Sequence, residues 1–305
     1  MKTDVLAIGE LLADLISTDY VENISEVKKF EIFQGGSPAN LCANLKWLGR
    51  NVDLVACVGD DSVGEMLLQS LAKVGINADK ITKNSEFPSS LVLVGKSKNS
   101  PDFIAYRMAD SQIPVLASQW IKDAKILHTS AFALSKEPAR TSILTALKSA
   151  FVLGKQISCD WNFAQEIWQK DSGIKVFEDI CSLNPLLKIS LDDIRRFLNY
   201  EEASVKVAID FLSMFKTRLT CLTCGSDGVW YSEENGDWLK LEAEKVNEVK
   251  DTTGAGDAFW SGFLNAKLEG LSADLCVKEG LQIAAKKIQQ VGPIYLNPPI
   301  EKVIV

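Results

Sequence analysis

The segment of the chain best suited to chemistry runs from Asp251 to Phe259, with the sequence Asp-Thr-Thr-Gly-Ala-Gly-Asp-Ala-Phe. Its two glycines allow tight backbone bends, and Phe259, Phe263 and Ala266 then recur at helical spacing. The free N–H groups at a helix N-terminus form a cradle for an anion, and the helix macrodipole strengthens it. Asp257, in the first turn, could accept a hydroxyl proton during transfer of a phosphoryl group. The alternative is a plain glycine loop in which Asp257 caps the helix.

A second glycine pair precedes another predicted helix, in residues 34–40 with the sequence Gln-Gly-Gly-Ser-Pro-Ala-Asn. We predict that Ser37 is the N-cap and that Pro38 is the first helical residue. The glycines would let the backbone approach a ligand closely, and the Asn40 amide offers a donor and an acceptor to a polyol. Taken alone, a simple Gly-Gly turn before a solvated helix explains these residues equally well.

Short β-branched runs alternate with helical patterns along the rest of the chain. Buried strands are predicted at Val5–Ile8, Val52–Val58, Lys125–His128, Ile157–Asp160 and Leu219–Thr223. This alternation predicts an α/β fold with a mostly parallel sheet and helices on both of its faces.

One region interrupts this alternation. Ser89–Gly95 and Asp102–Arg107 resemble a hairpin around a polar turn at residues 96–101, with no helix between them. Leu11–Ser17 and Phe30–Phe33 could add further strands. Together they predict a small sheet appended to the main domain.

Composition narrows the classes of protein that the chain can represent. Its 305 residues contain 33 Lys and Arg against 40 Asp and Glu, for a net charge of −7. The acidic balance argues against a nucleic-acid or anionic-membrane partner, and no apolar stretch approaches the ~18 residues of a membrane span. The seven cysteines, an odd number, argue against a disulfide framework and favour the cytoplasm. No G-x-G-x-x-G follows the first strand, which weakens a dinucleotide-binding interpretation.

At the two glycine-containing segments the sequence resembles the ribokinase-like sugar kinases, also called the phosphofructokinase-B family. Residues 35–49 resemble the N-terminal signature of that family, and residues 251–262 resemble its C-terminal signature. The resemblance runs from the first strand to about Pro299. It implies one sugar-kinase domain over residues 1–305, built as a three-layer α/β sandwich. It also implies a small β-sheet lid, with strands from about residues 11–36 and 88–110.

The resemblance also implies a set of residues that bind the sugar. These are Asp14, Gly35, Gly36, Asn40, Arg107, Asp160, Asn162 and Asp257. Arg107 resembles the lid arginine of fructokinase-like members, and we expect its side chain to hang over the pocket from the end of a lid strand. The alternatives are a surface charge at Asp14 and an exposed arginine at Arg107. Relatives often carry a basic residue at the position of Ala164, so that contact is absent here or made elsewhere.

A second set of residues is implied for ATP and its Mg²⁺ ion. These are Lys188, Ser190, Asp193, Thr223, Gly225, Gly228, Gly254 and Gly256. Asp192 is adjacent to Asp193, and either carboxylate could serve the phosphates and magnesium. For residues 223–228 the alternative is a tight turn into the next strand. Asp251 and Thr253 occupy positions where relatives hold a monovalent cation such as K⁺, largely through main-chain oxygens.

These inferences predict an ATP-dependent sugar kinase, and most specifically a fructokinase that forms fructose 6-phosphate. Asp257 would be the base, and the amides of Gly254, Ala255 and Gly256 would stabilise charge on the transferring group. The alternatives are a 2-keto-3-deoxygluconate kinase, another sugar or nucleoside kinase of the family, and a catalytically silent sugar or nucleotide sensor. Because relatives often pair their lids, the resemblance also implies a homodimer.

Overall fold

The computed structural model describes residues 2–96, 102–168, 172–290 and 292, so the turn predicted at 96–101 lies almost entirely outside the described residues. Within these ranges the strands are β1 (Thr3–Ile8), β2 (Leu12–Ser17), β3 (Phe30–Gly35), β4 (Val52–Gly59), β5 (Ile81–Asn84), β6 (Leu91–Gly95), β7 (Asp102–Tyr106), β8 (Ala124–Ser130), β9 (Gln156–Asp160), β10 (Leu186–Ser190), β11 (Leu219–Thr223), β12 (Val229–Glu233) and β13 (Leu239–Leu241). The helices are α1 (Ser37–Trp47), α2 (Ser62–Lys73), α3 (Ser118–Asp123), α4 (Ala131–Leu134), α5 (Ala139–Val152), α6 (Gln165–Trp168), α7 (Ile174–Cys181), α8 (Leu191–Phe197), α9 (Val205–Leu212), α10 (Ala255–Leu268) and α11 (Ala273–Ile288).

The large sheet has the strand order β13-β12-β11-β10-β9-β8-β1-β4-β5. It is parallel from β11 to β5, and only β12 and β13 are antiparallel additions. Along β1, Leu6 and Ile8 belong to the apolar core that contains residues of α3 to α9, whereas Val5 and Ala7 belong to the core that contains residues of α1, α2, α10 and α11. The five predicted strands and the α/β sandwich are therefore confirmed.

Strand β10 was not predicted, because Lys188 interrupts its apolar run. The side chain of Lys188 is nevertheless buried, and the sheet register places the residue directly opposite Asp160 on β9. The lysine ammonium lies 2.9 Å from each carboxylate oxygen of Asp160. A charged residue is tolerated inside a buried strand here because its counter-ion occupies the neighbouring strand.

The small sheet has the order β3-β2-β6-β7, with β2 and β6 parallel and the outer pairs antiparallel. Asp14 and Phe33 are cross-strand partners on one face, and Leu15 and Ile32 are partners on the other. We call this sheet the lid. No helix among the described residues is both long and apolar enough to cross a membrane.

Glu10 connects the lid to the large sheet, since it lies between β1 and β2. Its side chain is buried, and its two carboxylate oxygens accept hydrogen bonds from the Ser37 amide (3.0 Å) and the Ser130 hydroxyl (2.7 Å). Burial raises the pKa of Glu10 from 4.5 to about 8, against the opposing effect of the Ser130 hydrogen bond. The folded protein therefore holds a proton on Glu10 at a pH where the unfolded chain has released it.

This raised pKa predicts how stability changes with pH. The stabilisation from Glu10 is complete below about pH 4.5 and is lost as the pH rises through about 8, because the folded state binds the proton more tightly. Glu10→Gln removes this titration, so we expect the fall in the free energy of unfolding between about pH 5 and 8 to shrink by about 2 kcal/mol or more. Urea unfolding of wild type and variant at several pH values measures this. Glu242→Gln, at an exposed side chain, is the control. Parallel pH profiles for wild type and Glu10→Gln would contradict the prediction.

Candidate active site

A cleft of about 570 Å³ lies between the lid, helix α1 and the loop that leads into α10. Its volume is within the ~300–1,000 Å³ that is usual for small-molecule sites. Of the residues predicted for function, the cleft brings together Asp14, Asn40, Asp251, Thr253, Gly254 and Asp257. The remaining predicted residues do not line it. They lie behind it, or at the carboxyl ends of the neighbouring parallel strands.

Asp257 lies in the first turn of α10, whose N-cap is Gly254 in the left-handed region (φ 75°). One carboxylate oxygen accepts a hydrogen bond from the Ser37 hydroxyl (2.7 Å), and the other accepts one from the Asn40 amide (3.0 Å). The carboxylate thus bonds to helix α1, and it does not cap its own helix. Burial raises the pKa of Asp257, and the bond from Ser37 and the charge of Lys188 oppose that rise. The arrangement holds a carboxylate rigidly at the mouth of an amide cradle.

The prediction that Ser37 is the N-cap of α1 was wrong. The N-cap is Gly36, at φ 104°, and a β-carbon at this position would lie 2.3 Å from the carbonyl oxygen of Glu10. The Ser37 amide is satisfied by the Glu10 carboxylate, which leaves the serine hydroxyl free to bond to Asp257. Sequence reasoning missed this role, as it missed Gln34, whose amide donates to the Asn40 side-chain oxygen (3.2 Å) and orients it.

Asp14 projects from β2 into the same cleft. Burial and the charge of Asp257 raise the pKa of Asp14 to about 7. No hydrogen bond reaches its carboxylate from the described part of the chain, and Gly35 lies beside it. Two carboxylates that face one cleft create a site for hydroxyl donors, which is the chemistry that a polyol offers.

The Lys188–Asp160 pair lies behind the amide cradle. A β-carbon on Gly256 would lie 2.8 Å from the Lys188 ammonium, so this position of α10 accommodates only a glycine without displacement of the lysine. Burial opposes the charge of Lys188, but the carboxylates of Asp160 and Asp193 raise its pKa above the ordinary value. The lysine ammonium and its Asp160 partner therefore lie against the first turn of α10, beside Gly256.

The remaining predicted nucleotide residues follow the ends of β10 and β11. Ser190 and Asp193 form a capping box at the start of α8, and burial raises the pKa of Asp193 to about 6. Asp192 is exposed and pairs with Arg195. Thr223 ends β11, and Gly225 and Gly228 form the turn into β12. Because parallel strands end at one edge of a sheet, these residues share an edge with Asp160.

Asn162 and Arg107 both bond to the main chain of Phe132. The Asn162 side chain accepts a hydrogen bond from the amide of Phe132 (3.1 Å), and Arg107 donates to its carbonyl oxygen (2.6 Å). The expected placement of Arg107 over the pocket was wrong, since its side chain is buried and does not line the cleft. The reason is Asp110, three residues later, whose carboxylate forms a buried ion pair with the guanidinium.

The sequence resemblance implies two cations, Mg²⁺ and a monovalent cation such as K⁺, and the residues of the site suit only the first. The described residues contain no cluster of three or more metal-ligating side chains. Because few protein ligands are available among these residues, a Mg²⁺ ion would be held mainly by nucleotide phosphates and water. A monovalent cation does not fit at Asp251, because the ammonium of Lys287 already lies 3.1 Å from its main-chain and side-chain oxygens. Sequence reasoning missed Lys287, which lies on α11, far from the motif.

Comparisons with known proteins identify relatives over nearly the whole chain. The family described as "pfkB family carbohydrate kinase" matches residues 2–300. The ATP-dependent 6-phosphofructokinase of Thermoanaerobacterium thermosaccharolyticum is 34% identical, over 99% of this chain and 93% of that protein. The structure of Halothermothrix orenii fructokinase is 33% identical with a TM-score of 0.80, covering 91% of this chain and 98% of its own. That of sugar kinase PH1459 from Pyrococcus horikoshii, in complex with ATP, is 28% identical with a TM-score of 0.82, covering 95% and 94%.

The buried position of Arg107 predicts a loss of stability when its charge is removed. Arg107→Ala leaves the Asp110 carboxylate buried without its partner, so we expect the free energy of unfolding to fall by about 3–5 kcal/mol. The double variant Arg107→Ala/Asp110→Ala removes both charges and should recover part of that loss. Urea unfolding measures both variants. A single variant as stable as wild type would show that the ion pair does not hold this end of the lid.

Proposed function

The chain belongs to the pfkB family of carbohydrate kinases, and from that premise we propose that it transfers the γ-phosphoryl group of ATP to fructose, forming fructose 6-phosphate. The observation that carries the proposal is the Asp257 carboxylate, which Ser37 and Asn40 hold at the N-terminus of α10. A carboxylate with both oxygens held beside an anion cradle can take a hydroxyl proton and face a phosphoryl group at the same time.

The proposed reaction is an in-line displacement at the γ-phosphorus. The terminal hydroxyl oxygen of the sugar forms the new P–O bond, its proton passes to Asp257, and the bond between the γ-phosphorus and the bridging oxygen breaks, which releases ADP. The amides of Gly254 and Gly256 would donate to the transferring group, and the Ala255 amide would join them on release of the Thr252 carbonyl, to which it donates in this structure (3.1 Å). The Lys188 ammonium lies beside Gly256 and adds positive charge there. Mg²⁺, when bound with the nucleotide, would screen its phosphates.

The other side of the cleft supplies the contacts to the sugar. Ionised Asp14 accepts hydrogen bonds from sugar hydroxyls, and Asn40, whose amide bonds to Asp257, lines the same cleft beside it. We place Gly35 and Gly36 in the wall beside them. Asp160, Asn162 and Arg107 contribute through the groups that they hold: Asp160 holds Lys188, and the other two hold the main chain of Phe132. We propose that ATP binds at the adjoining edge of the sheet, to Ser190, Asp193, Thr223, Gly225 and Gly228.

Fructose 6-phosphate is a second candidate acceptor, and a feature of the cleft favours it. The amines of Lys96 and Lys250 belong to residues that line the cleft, on the lid and on the loop before α10. Either amine could bind the phosphate of a sugar phosphate, which is the substrate class that the name of the Thermoanaerobacterium relative indicates. Neutral fructose has no phosphate for either lysine to bind. An activity assay with each of the two acceptors therefore distinguishes the candidates.

Substitution of the proposed base tests the mechanism. Asp257→Asn keeps the shape of the side chain but cannot accept the proton, so kcat should fall by about three orders of magnitude or more while ATP affinity stays near normal. Ser261→Ala, at a neighbouring residue of α10 whose hydroxyl donates to the main-chain carbonyl of Asp257, is the control. A kcat within about tenfold of wild type for Asp257→Asn would remove Asp257 from the role of base.

The choice of acceptor is tested on the wild-type protein. ADP release is measured with fructose, fructose 6-phosphate, 2-keto-3-deoxygluconate and a nucleoside at saturating ATP and magnesium. The highest kcat/KM for fructose supports the proposal, and the highest value for another acceptor replaces fructose by that compound. Binding of a sugar or ATP by calorimetry without any ADP release would identify a silent sensor instead.

The lid supports a further proposal, that two chains pair through it as a homodimer. Ile32, Leu15, Leu93 and Ile104 form one row across its four strands, on the face opposite Asp14. Ile32 and Ile104, at the two ends of the row, are 48% and 40% exposed. Such an exposed apolar row is typical of an association surface.

The free thiols of all seven cysteines support a reducing compartment, so we also propose a cytoplasmic location.

Charge introduced into this row should separate the two chains. Ile32→Lys is expected to convert a dimer to a monomer, because it would bury a lysine against apolar side chains. Light scattering at micromolar protein measures the mass. Val152→Lys, at an exposed position on α5, is the control that should remain dimeric. A monomeric wild-type protein, with or without sugar, would contradict the dimer and leave the kinase proposal intact.

A further inference from the structure

Lys287 is a buried lysine on α11, with only 3% of its surface exposed. Its ammonium donates hydrogen bonds to two oxygens of Asp251, the main-chain carbonyl and the side-chain Oδ2, each at 3.1 Å. Both acceptors belong to the segment that immediately precedes the amide cradle. Main-chain carbonyl and carboxylate oxygens are also the ligands that a monovalent metal cation would need, and here a buried ammonium already uses them.

Asp251 is tied down by several further contacts. Its Oδ1 accepts a hydrogen bond from the Thr253 amide (2.9 Å), and its Oδ2 also accepts one from the Gly292 amide (3.2 Å). Burial tends to raise the pKa of Asp251, but the Thr253 amide and the Lys287 ammonium lower it below the ordinary value. Asp251 and Lys287 therefore form an ion pair, and their opposite charges fix the loop against the end of α11.

The position of the pair connects it to the cradle. The amides of Lys250 and Asp251 both donate to the Ile288 carbonyl, and the Thr252 carbonyl accepts from the Ala255 amide at the start of α10. The Lys287 side chain passes behind Gly254, where a β-carbon would lie 3.9 Å from its Cε. Displacement of the loop would therefore displace the first amides of α10.

We propose that Lys287 is a built-in monovalent cation that holds the cradle loop, so that the protein needs no K⁺ or other dissolved monovalent cation for activity. Because the ammonium is tethered to α11, no ion has to be captured from solution to order the loop. This inference rests on the proposed kinase function for its activity readout, whereas its structural readout is independent of that function. In this proposal Lys287 is a positioning residue, since it acts through Asp251 on the amides of α10.

The test compares wild type, Lys287→Ala and Lys287→Met, with Lys286→Ala at the adjacent exposed position as the control. Each is assayed with the best sugar in potassium chloride and in tetramethylammonium chloride at equal ionic strength, about 0.1 M. Wild type and Lys286→Ala should differ by less than about twofold between the salts. In tetramethylammonium the kcat/KM of both Lys287 variants should be about tenfold or more below that of wild type. For Lys287→Ala, addition of K⁺ or methylammonium should then raise kcat/KM several-fold.

Thermal unfolding in the same two salts gives a readout that does not require catalysis. K⁺ should raise the unfolding midpoint of Lys287→Ala over its value in tetramethylammonium, and should leave that of wild type unchanged. Activation of the wild type by K⁺ of several-fold would overturn the inference, and so would a folded Lys287→Ala with no response to K⁺ in either readout. If Lys287→Ala does not fold, Lys287→Met, which keeps the aliphatic stem but lacks the ammonium, replaces it, and a folded Lys287→Met that matches wild type in tetramethylammonium in both readouts would overturn the inference. Absence of sugar turnover by wild type would contradict the proposed function alone, and the unfolding midpoints would still decide the role of Lys287.

Discussion

The rest of the site depends on the pair of hydrogen bonds that Asp257 accepts from Ser37 and Asn40. These bonds connect the first turns of α1 and α10, whose residues lie 217 and 220 positions apart in the chain. The two helices pack on the same face of the large sheet, and their apolar side chains belong to one core. Packing sets the distance between the helices, and the half-buried Asp257 carboxylate then specifies their register. Both bonds also oppose the rise that burial causes in the pKa of this carboxyl group.

Positive charge at the site comes from buried lysines of the protein, although the molecule as a whole is acidic. Lys188 faces the amides of α10 from below, and Lys287 holds the loop before them. Each ammonium is paired with a carboxylate, Asp160 and Asp251 respectively, so neither is an isolated buried charge. The ammonium of Lys188 lies beside Gly256 and the stem of Lys287 lies beside Gly254, so both ion pairs adjoin the N-terminus of α10. Because each pair carries no net charge, it is compatible with a chain of net charge −7.

Local rules predicted the segments of the site but not the contacts between them. Serine is a preferred N-cap, yet the Ser37 amide is satisfied by Glu10, 27 residues earlier, so that tertiary contact replaces the local cap. The spacing of Asp110, three residues after Arg107, is compatible with an ion pair that turns the guanidinium inward. The expectation from the family resemblance placed the arginine over the pocket instead, and the structure shows the ion pair. Strand β10 was missed because a lysine in an apolar run argues against burial until its partner on β9 is known. Lys287 carried no signal at all, since only the packing of α11 against the loop brings it to Asp251.

The two glycines of the Gly-Ala-Gly segment are required for different structural reasons. Gly254 adopts a left-handed conformation that ends the loop and begins α10. Gly256 is already helical, and its lack of a side chain is explained by the Lys188 ammonium, 2.8 Å from where a β-carbon would lie. The sequence pattern predicts that both glycines allow tight backbone bends, but at position 256 the missing side chain is explained by the space that the lysine ammonium occupies. A substituent at Gly256 would therefore push Lys188 away from Asp160 as well as disturb the amides. The cradle and the charge beneath it are accordingly one structural unit, in which the helix can approach the lysine closely only because glycine is present.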